Sequence, residues 1–312
     1  MTQSTMFSQR ALPLRAIVQL QGLNVPPPQT QGSATLSLQT LPGTRVYTVP
    51  VNLGNHSGRF LLDTGASTSM VSAATVQQLQ LQGMSVPQER LGLAVAGDDC
   101  PDLKASLYKL PQLSMQGVQV QELSTLKFSS TVIPDELSGV LGMDMLKFFD
   151  LRLDPQQQSL HLRPATLLPD EWRSRAVPLQ EKLGVMLAQV QVNGQGPFTF
   201  LLDTGADSTF ISPKVAQQAN LDAARYQPIQ IRGFCGLEEA QQSRLTSIKL
   251  HTHQQANLDT IILSSSSILS VLDVDGILGQ NFLNQYQQYW RFTQDPEGQF
   301  DGSLLLFPIL QR

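Results

Sequence analysis

Phe60-Leu61-Leu62-Asp63-Thr64-Gly65-Ala66-Ser67 and Phe200-Leu201-Leu202-Asp203-Thr204-Gly205-Ala206-Asp207 are one octet written twice, 140 residues apart, with only the last residue changed. Each copy ends an apolar run on a carboxylate. Two residues later a glycine, having no Cβ, lets the backbone turn sharply. Upstream, each octet is preceded by a strand-like run and a turn: VYTVPVNL and GNHSG over 46–58, VMLAQVQV and NGQGP over 185–197. Downstream, Ser72 and Ser212 stand where they can cap short helices, the second with Pro213 in the first helical position. Further on come Gly139-Val140-Leu141-Gly142-Met143-Asp144-Met145-Leu146 and Gly276-Ile277-Leu278-Gly279-Gln280-Asn281-Phe282-Leu283. The spacing from aspartate to second glycine is 79 residues (63 to 142) in one copy and 76 (203 to 279) in the other.

Two copies of one unit, with the same elements in the same order, predict two lobes related by a pseudo-twofold axis. Short alternating apolar runs broken by turn residues predict an all-β, bilobal fold with few short helices. Residues 1–41, rich in Gln, Pro, Ser and Thr and without sustained periodicity, read as an extended tail. The expected order after it is an N-terminal lobe over 42–164, a linker over 165–178 and a C-terminal lobe over 179–312.

A lone carboxylate in apolar surroundings costs desolvation. A pair brought together across a pseudo-dyad shares one proton, because like charges so close cannot both ionise. The ionised member can then activate a water for attack on a carbonyl, while the protonated member donates to the carbonyl oxygen. This chemistry needs no metal, cofactor or nucleophilic side chain, and none is expected.

The LLDTGAS and LLDTGAD motifs, with the Val140-Leu141-Gly142 and Ile277-Leu278-Gly279 elements, make the chain resemble aspartic peptidases of the pepsin and retropepsin superfamily over roughly residues 45–310. The resemblance implies that Asp63 and Asp203 are the catalytic pair. It implies that Thr64 and Thr204 bond across the lobe interface, and that Gly65 and Gly205 keep the two loops tight. The glycine elements would pack beside these loops. Asp207 matches a retropepsin aspartate that binds substrate backbone, or else serves as a loop-stabilising hydrogen-bond partner; Ser67 takes its place in the first lobe. Alanine follows each Asp-Thr-Gly, at Ala66 and Ala206, where pepsin-like enzymes carry a hydroxyl; its absence predicts a mildly acidic optimum. The expected function is an aspartic endopeptidase, active as a monomer because both lobes share one chain. The alternative is a catalytically silent peptide-binding protein, or a latent zymogen in which tail bases such as Arg10 and Arg15 pair with the aspartates.

Retropepsin-like flaps are expected over 93–105 and 229–241, with Gly97 and Gly233 at tips that pair with an extended peptide. With Ala66, Ala206 and Asp207 they make up the expected substrate-binding set. Both cysteines, Cys100 and Cys235, fall in these tips, either as free thiols or as a latch between them.

Composition narrows the function classes. A 41 % hydrophobic share supports a core in each lobe, while 15 % charged residues and a net charge of −4 give no electropositive surface for nucleic acid. Neither a zinc-spaced Cys/His cluster nor an apolar run of membrane-spanning length occurs. His251 and His253 share a strand face but lack a third ligand nearby. Arg15, Gln19 and Gln21 interrupt the mildly apolar stretch 11–24, so no signal peptide and a cytoplasmic location are expected. The expected partner is a peptide or unfolded protein substrate, with neither nucleic acid nor a membrane involved.

Overall fold

Val49, Val51 and Leu53 face inward and Pro50 and Asn52 outward along Tyr47–Leu53, the period of two that a half-buried strand requires. This strand forms a hairpin with His56–Leu62, closed by the two residues between Leu53 and His56. The second half repeats the device with Val185–Val192 and Gln195–Leu202. There the turn is Asn193-Gly194, with φ of 51° and 78°, the left-handed pair that a two-residue hairpin turn demands. The computed structural model describes residues 10–11, 16–95, 103–129, 133–232, 237–263, 267–294 and 300–309.

In each half the strand that ends on the aspartate runs parallel to the glycine element. Gly139–Leu141 lies beside Phe60–Leu62, and Gly276–Leu278 beside Phe200–Leu202. Each glycine element also pairs antiparallel with a short strand after the loop, Met70–Val71 or Thr209–Ile211. The helices that follow are capped as the serines predict: Ser72 accepts the Thr75 amide at 3.2 Å and Ser212 the Val215 amide at 3.3 Å.

The two halves do not form separate sheets. An 11-stranded sheet is built from the first half, whereas a 14-stranded sheet runs from Arg10–Ala11 through the strands of the second half, Phe300–Pro308 and Tyr286–Gln294 among them, into Phe149–Asp154, Ser159–Pro164 and Ala34–Ser37. This shared sheet joins the lobes beneath the loops. Trp290, Phe292 and Phe149 are buried on it, in a main apolar cluster that also holds Phe60 and Phe200. A second cluster, with Leu61, Met70, Leu126, Phe128 and Val140, lies within the first lobe. The all-β bilobal fold expected from the repeat is the fold that forms, with helices of only four to six residues among the described residues. No described helix is long and apolar enough to cross a membrane.

Part of the expected tail is built into this framework. Gln29–Gly32 pairs with Val118–Gln121, Ala34–Ser37 with Ser159–Leu162, and Gln39–Thr40 with Tyr47–Thr48. Leu36 and Leu38 are buried while their immediate neighbours face solvent, so two leucines anchor a stretch that is otherwise mostly polar.

Candidate active site

Asp63 and Asp203 stand at the ends of two buried strands, and both are fully buried. The backbone amide of each is held by the neighbouring glycine element, Asp63 to the Leu141 carbonyl at 3.1 Å and Asp203 to the Leu278 carbonyl at 3.0 Å. One carboxylate oxygen of each accepts the amide of the glycine two residues on, at 2.9 Å from Gly65 and 2.8 Å from Gly205. Each carboxylate is thereby oriented by its own loop.

The loops are then locked to each other. Thr64 Oγ1 donates to the Leu202 carbonyl and accepts the Thr204 amide, both at 3.0 Å. Thr204 Oγ1 donates to the Leu62 carbonyl and accepts the Thr64 amide, also both at 3.0 Å. Four reciprocal bonds, all buried, use the one donor of each threonine hydroxyl and one of its acceptor sites.

Gly65 and Gly205 show why no larger residue fits. A Cβ on Gly65 would stand 2.4 Å from the carboxyl carbon of Asp203, and a Cβ on Gly205 would stand 2.4 Å from that of Asp63. Each lobe's carboxylate therefore sits in the space that the other lobe's glycine leaves empty. Each carboxyl group therefore lies against the loop of the other lobe.

Support for the loops comes from below. The carbonyls of Ala66 and Ala206 accept the amides of Met143 at 2.8 Å and Gln280 at 2.7 Å. Both alanine side chains are fully buried in the apolar clusters. Two further pairs were not anticipated. Ser69 gives its amide and hydroxyl to the two oxygens of Asp144, at 2.9 and 2.6 Å, and the equivalent Thr209 gives its hydroxyl to Asn281 at 2.8 Å. Burial pushes the Asp144 carboxyl up to about 6, against the bonds from Ser69 and the charge of Lys147. Gln280, fully buried, donates to the Thr204 carbonyl at 3.0 Å, where the first lobe has Met143. The available signal was the repeat itself, since Ser69 and Thr209 both lie six residues after their aspartates.

The two loops differ at the residue after each alanine. Asp207 is occupied by the first lobe: one oxygen accepts the Arg45 amide at 2.5 Å and the other the Arg45 guanidinium at 3.2 Å. These are the bonds of the loop-stabilising alternative. At the equivalent position Ser67 meets Gly184, whose Cβ would lie 3.1 Å from that of Ser67, and no ion pair forms.

The expected flaps differ between lobes. In the second, Gln227–Arg232 and the start of Leu237–Leu250 form a hairpin, with Ile229 opposite Ala240. In the first, Leu91–Val95 pairs with Ala16–Leu20, while Ala105–Lys109 pairs with Gly83–Val86 and Ser124–Phe128. Among the described residues, Leu91–Val95 and Ala105–Lys109 are not partners of each other. Gly97, Gly233, Cys100, Cys235 and Arg15 lie outside the described residues, as does the side chain of Arg10. Among the described residues no cluster of three or more His, Cys, Asp or Glu side chains is placed to hold a metal.

Comparison with known proteins finds the same repeat. The family described as gag-polyprotein putative aspartyl protease matches twice, over residues 49–148 and 188–285. A crystal structure of a retropepsin-like aspartic protease from Rickettsia conorii aligns with a TM-score of 0.30 at 18 % identity, over 42 % of this chain and 87 % of that one. No curated protein matches the chain.

Proposed function

The chain belongs to the gag-polyprotein aspartyl protease family, with two copies of the family's unit in tandem, and from that premise we propose that it is an aspartic endopeptidase. The observation that carries the reading is the reciprocal fit of each carboxylate into the space above the opposite glycine. Two carboxyl groups so placed share a proton, one serving as base towards a water and the other as acid towards the scissile carbonyl. The threonine lattice fixes both groups before substrate arrives, so little reorganisation is left for the reaction itself. Asp63 and Asp203 are the proposed catalytic residues. Thr64, Thr204, Gly65 and Gly205 are positioning residues that act through them. Because one chain carries both halves of the site, the proposed enzyme works as a monomer on extended peptides or unfolded segments.

The test is cleavage of a mixed peptide library between about pH 3 and 7 by wild type, Asp63→Asn and Asp203→Asn, with a statine-type transition-state analogue as control. The expected result is cleavage lost with either substitution and blocked by the analogue. Cleavage that survives both substitutions would overturn the proposal.

A further inference from the structure

The Ser67 end of the cleft holds a piece of the chain itself. Ala16–Leu20 runs antiparallel to Leu91–Val95, from Ala16 opposite Val95 to Leu20 opposite Leu91. The pairing continues into Gln21, whose amide meets the Arg90 carbonyl at 2.8 Å. The other edge of the strand faces the loop that carries Asp63. There the Val18 amide donates to Ser67 Oγ at 2.8 Å, and the Ser67 hydroxyl lies 3.2 Å from the Val18 carbonyl. Gln19 Nε2 reaches across to the Leu183 carbonyl of the second lobe at 3.1 Å. Upstream, Arg10–Ala11 pairs in parallel with Ile231 and Arg232 of the second lobe's hairpin.

An extended segment bonded on one edge by an outer strand and on the other by the aspartate loop has the backbone environment of a bound peptide. Its side chains fill both faces. Ile17 is buried in the main apolar cluster and Val18 in the first-lobe cluster. The asymmetry of the cleft makes room for it. At the other end Arg45 closes the gap to Asp207, whereas here Gly184 stands in the place of Arg45 and leaves the Ser67 hydroxyl to the passing strand. The connection to the rest of the fold, residues 21–28, has no regular structure beyond a turn and includes Pro26-Pro27-Pro28, so release would not disturb the strand Gln29–Gly32. In this arrangement neither aspartate has any solvent exposure.

We propose, on the endopeptidase reading above, that residues 16–20 are a built-in occupant of the peptide-binding cleft, which an extended peptide with aliphatic side chains has to displace. The segment then acts as a competitor in cis. A cleft filled nine-tenths of the time by such a segment lowers apparent affinity about tenfold.

The test uses the full chain with Val18→Pro, which removes the amide that Ser67 accepts, and separately with Ile17→Asp. Both variants should cleave a fluorogenic peptide with a KM lower by roughly tenfold and kcat unchanged, and both should bind the statine-type analogue more tightly by a similar factor. A labelled synthetic peptide of residues 10–24 should bind the Val18→Pro chain and compete with substrate. Amide exchange along Leu91–Val95 should quicken in the variants. Unchanged KM, analogue affinity and exchange would overturn the proposal, as would failure of the labelled peptide to bind. If no form of the protein cleaves peptides or binds the analogue, the endopeptidase reading fails. Exchange and binding of the 10–24 peptide then decide the occupancy by themselves.

Discussion

Asp144→Asn isolates one half-buried charge beside the first loop. Asp144 and Asn281 hold equivalent places after Gly142 and Gly279, yet only the first can ionise. Loss of hydration outweighs the two Ser69 bonds and the nearby Lys147, raising the Asp144 carboxyl from 3.8 to about 6. Below about pH 3 both folded and unfolded chains are protonated at this site and it contributes no pH dependence. Between about 3 and 6 the unfolded chain ionises first while the folded one keeps its proton, so stability falls as pH rises and levels off above that window. Two pKa units at about 1.4 kcal/mol each put the full penalty at about 3 kcal/mol. Asparagine can still accept the Ser69 hydroxyl, as Asn281 accepts that of Thr209, and has nothing to ionise. Urea unfolding of wild type and Asp144→Asn at pH 4 and pH 7 gives a double difference in which altered hydrogen bonding and all distant groups cancel. The variant should gain about 2 kcal/mol relative to wild type on going from the lower to the higher pH, because at pH 4 the unfolded chain is already partly ionised. A double difference below about 0.5 kcal/mol, or a carbon-detected titration of Asp144 with its midpoint in the ordinary carboxylate range, would refute the burial argument.

Alanine at Gly65 or Gly205 places a methyl 2.4 Å from the opposite carboxyl carbon, so either variant should lose peptidase activity and analogue binding even where circular dichroism shows a folded chain. Thr64→Val keeps the shape of the side chain but strands the Leu202 carbonyl and the Thr204 amide, at a cost of about 2–5 kcal/mol in urea unfolding. Thr64→Ser should recover most of that loss, and equal destabilisation by Ser and Val would contradict the bonding scheme. Arg45→Ala removes a guanidinium that is 54 % exposed and leaves the Asp207 bond to the Arg45 amide, so the change in unfolding free energy should stay under about 1 kcal/mol.

The parts legible in the sequence are those that local physics specifies twice. The octets, the glycine elements, the Asn193-Gly194 turn and the serine caps each follow from a residue type with one conformational use, and the repeat made each reading check the other. Neither the sheet that joins the lobes nor the strands in residues 29–40 could be read in this way. Tyr286–Gln294 alternates cleanly between buried and half-buried residues, which marks it as a strand, but nothing local says that it pairs with Phe149–Asp154 of the other half. Gln29–Gly32 has no apolar residue at all, and its place depends on the backbone edge that Val118–Gln121 offers. The Arg45–Asp207 pair was equally hidden, since 162 residues separate its members.

Carrying both lobes on one chain frees the two ends of the cleft from having to match. In a symmetric dimer each position occurs twice, so an arginine at one end would imply an arginine at the other. Here Arg45 faces Asp207 while Gly184 faces Ser67, and the lobe supports differ likewise, Asp144 against Asn281 and Met143 against Gln280. The threonine lattice and the paired glycines, by contrast, keep full pseudo-symmetry, with all four lattice bonds at 3.0 Å. The chemistry proposed for the aspartates needs equivalence at the dyad, because a shared proton requires two similar carboxyl groups. Substrate binding needs none, because a peptide has direction. Divergence has gathered where a directional ligand would read it. An end closed by an ion pair and an end that accepts a passing strand give the cleft a polarity of its own, and the segment 16–20 lies at the end that is open to a chain.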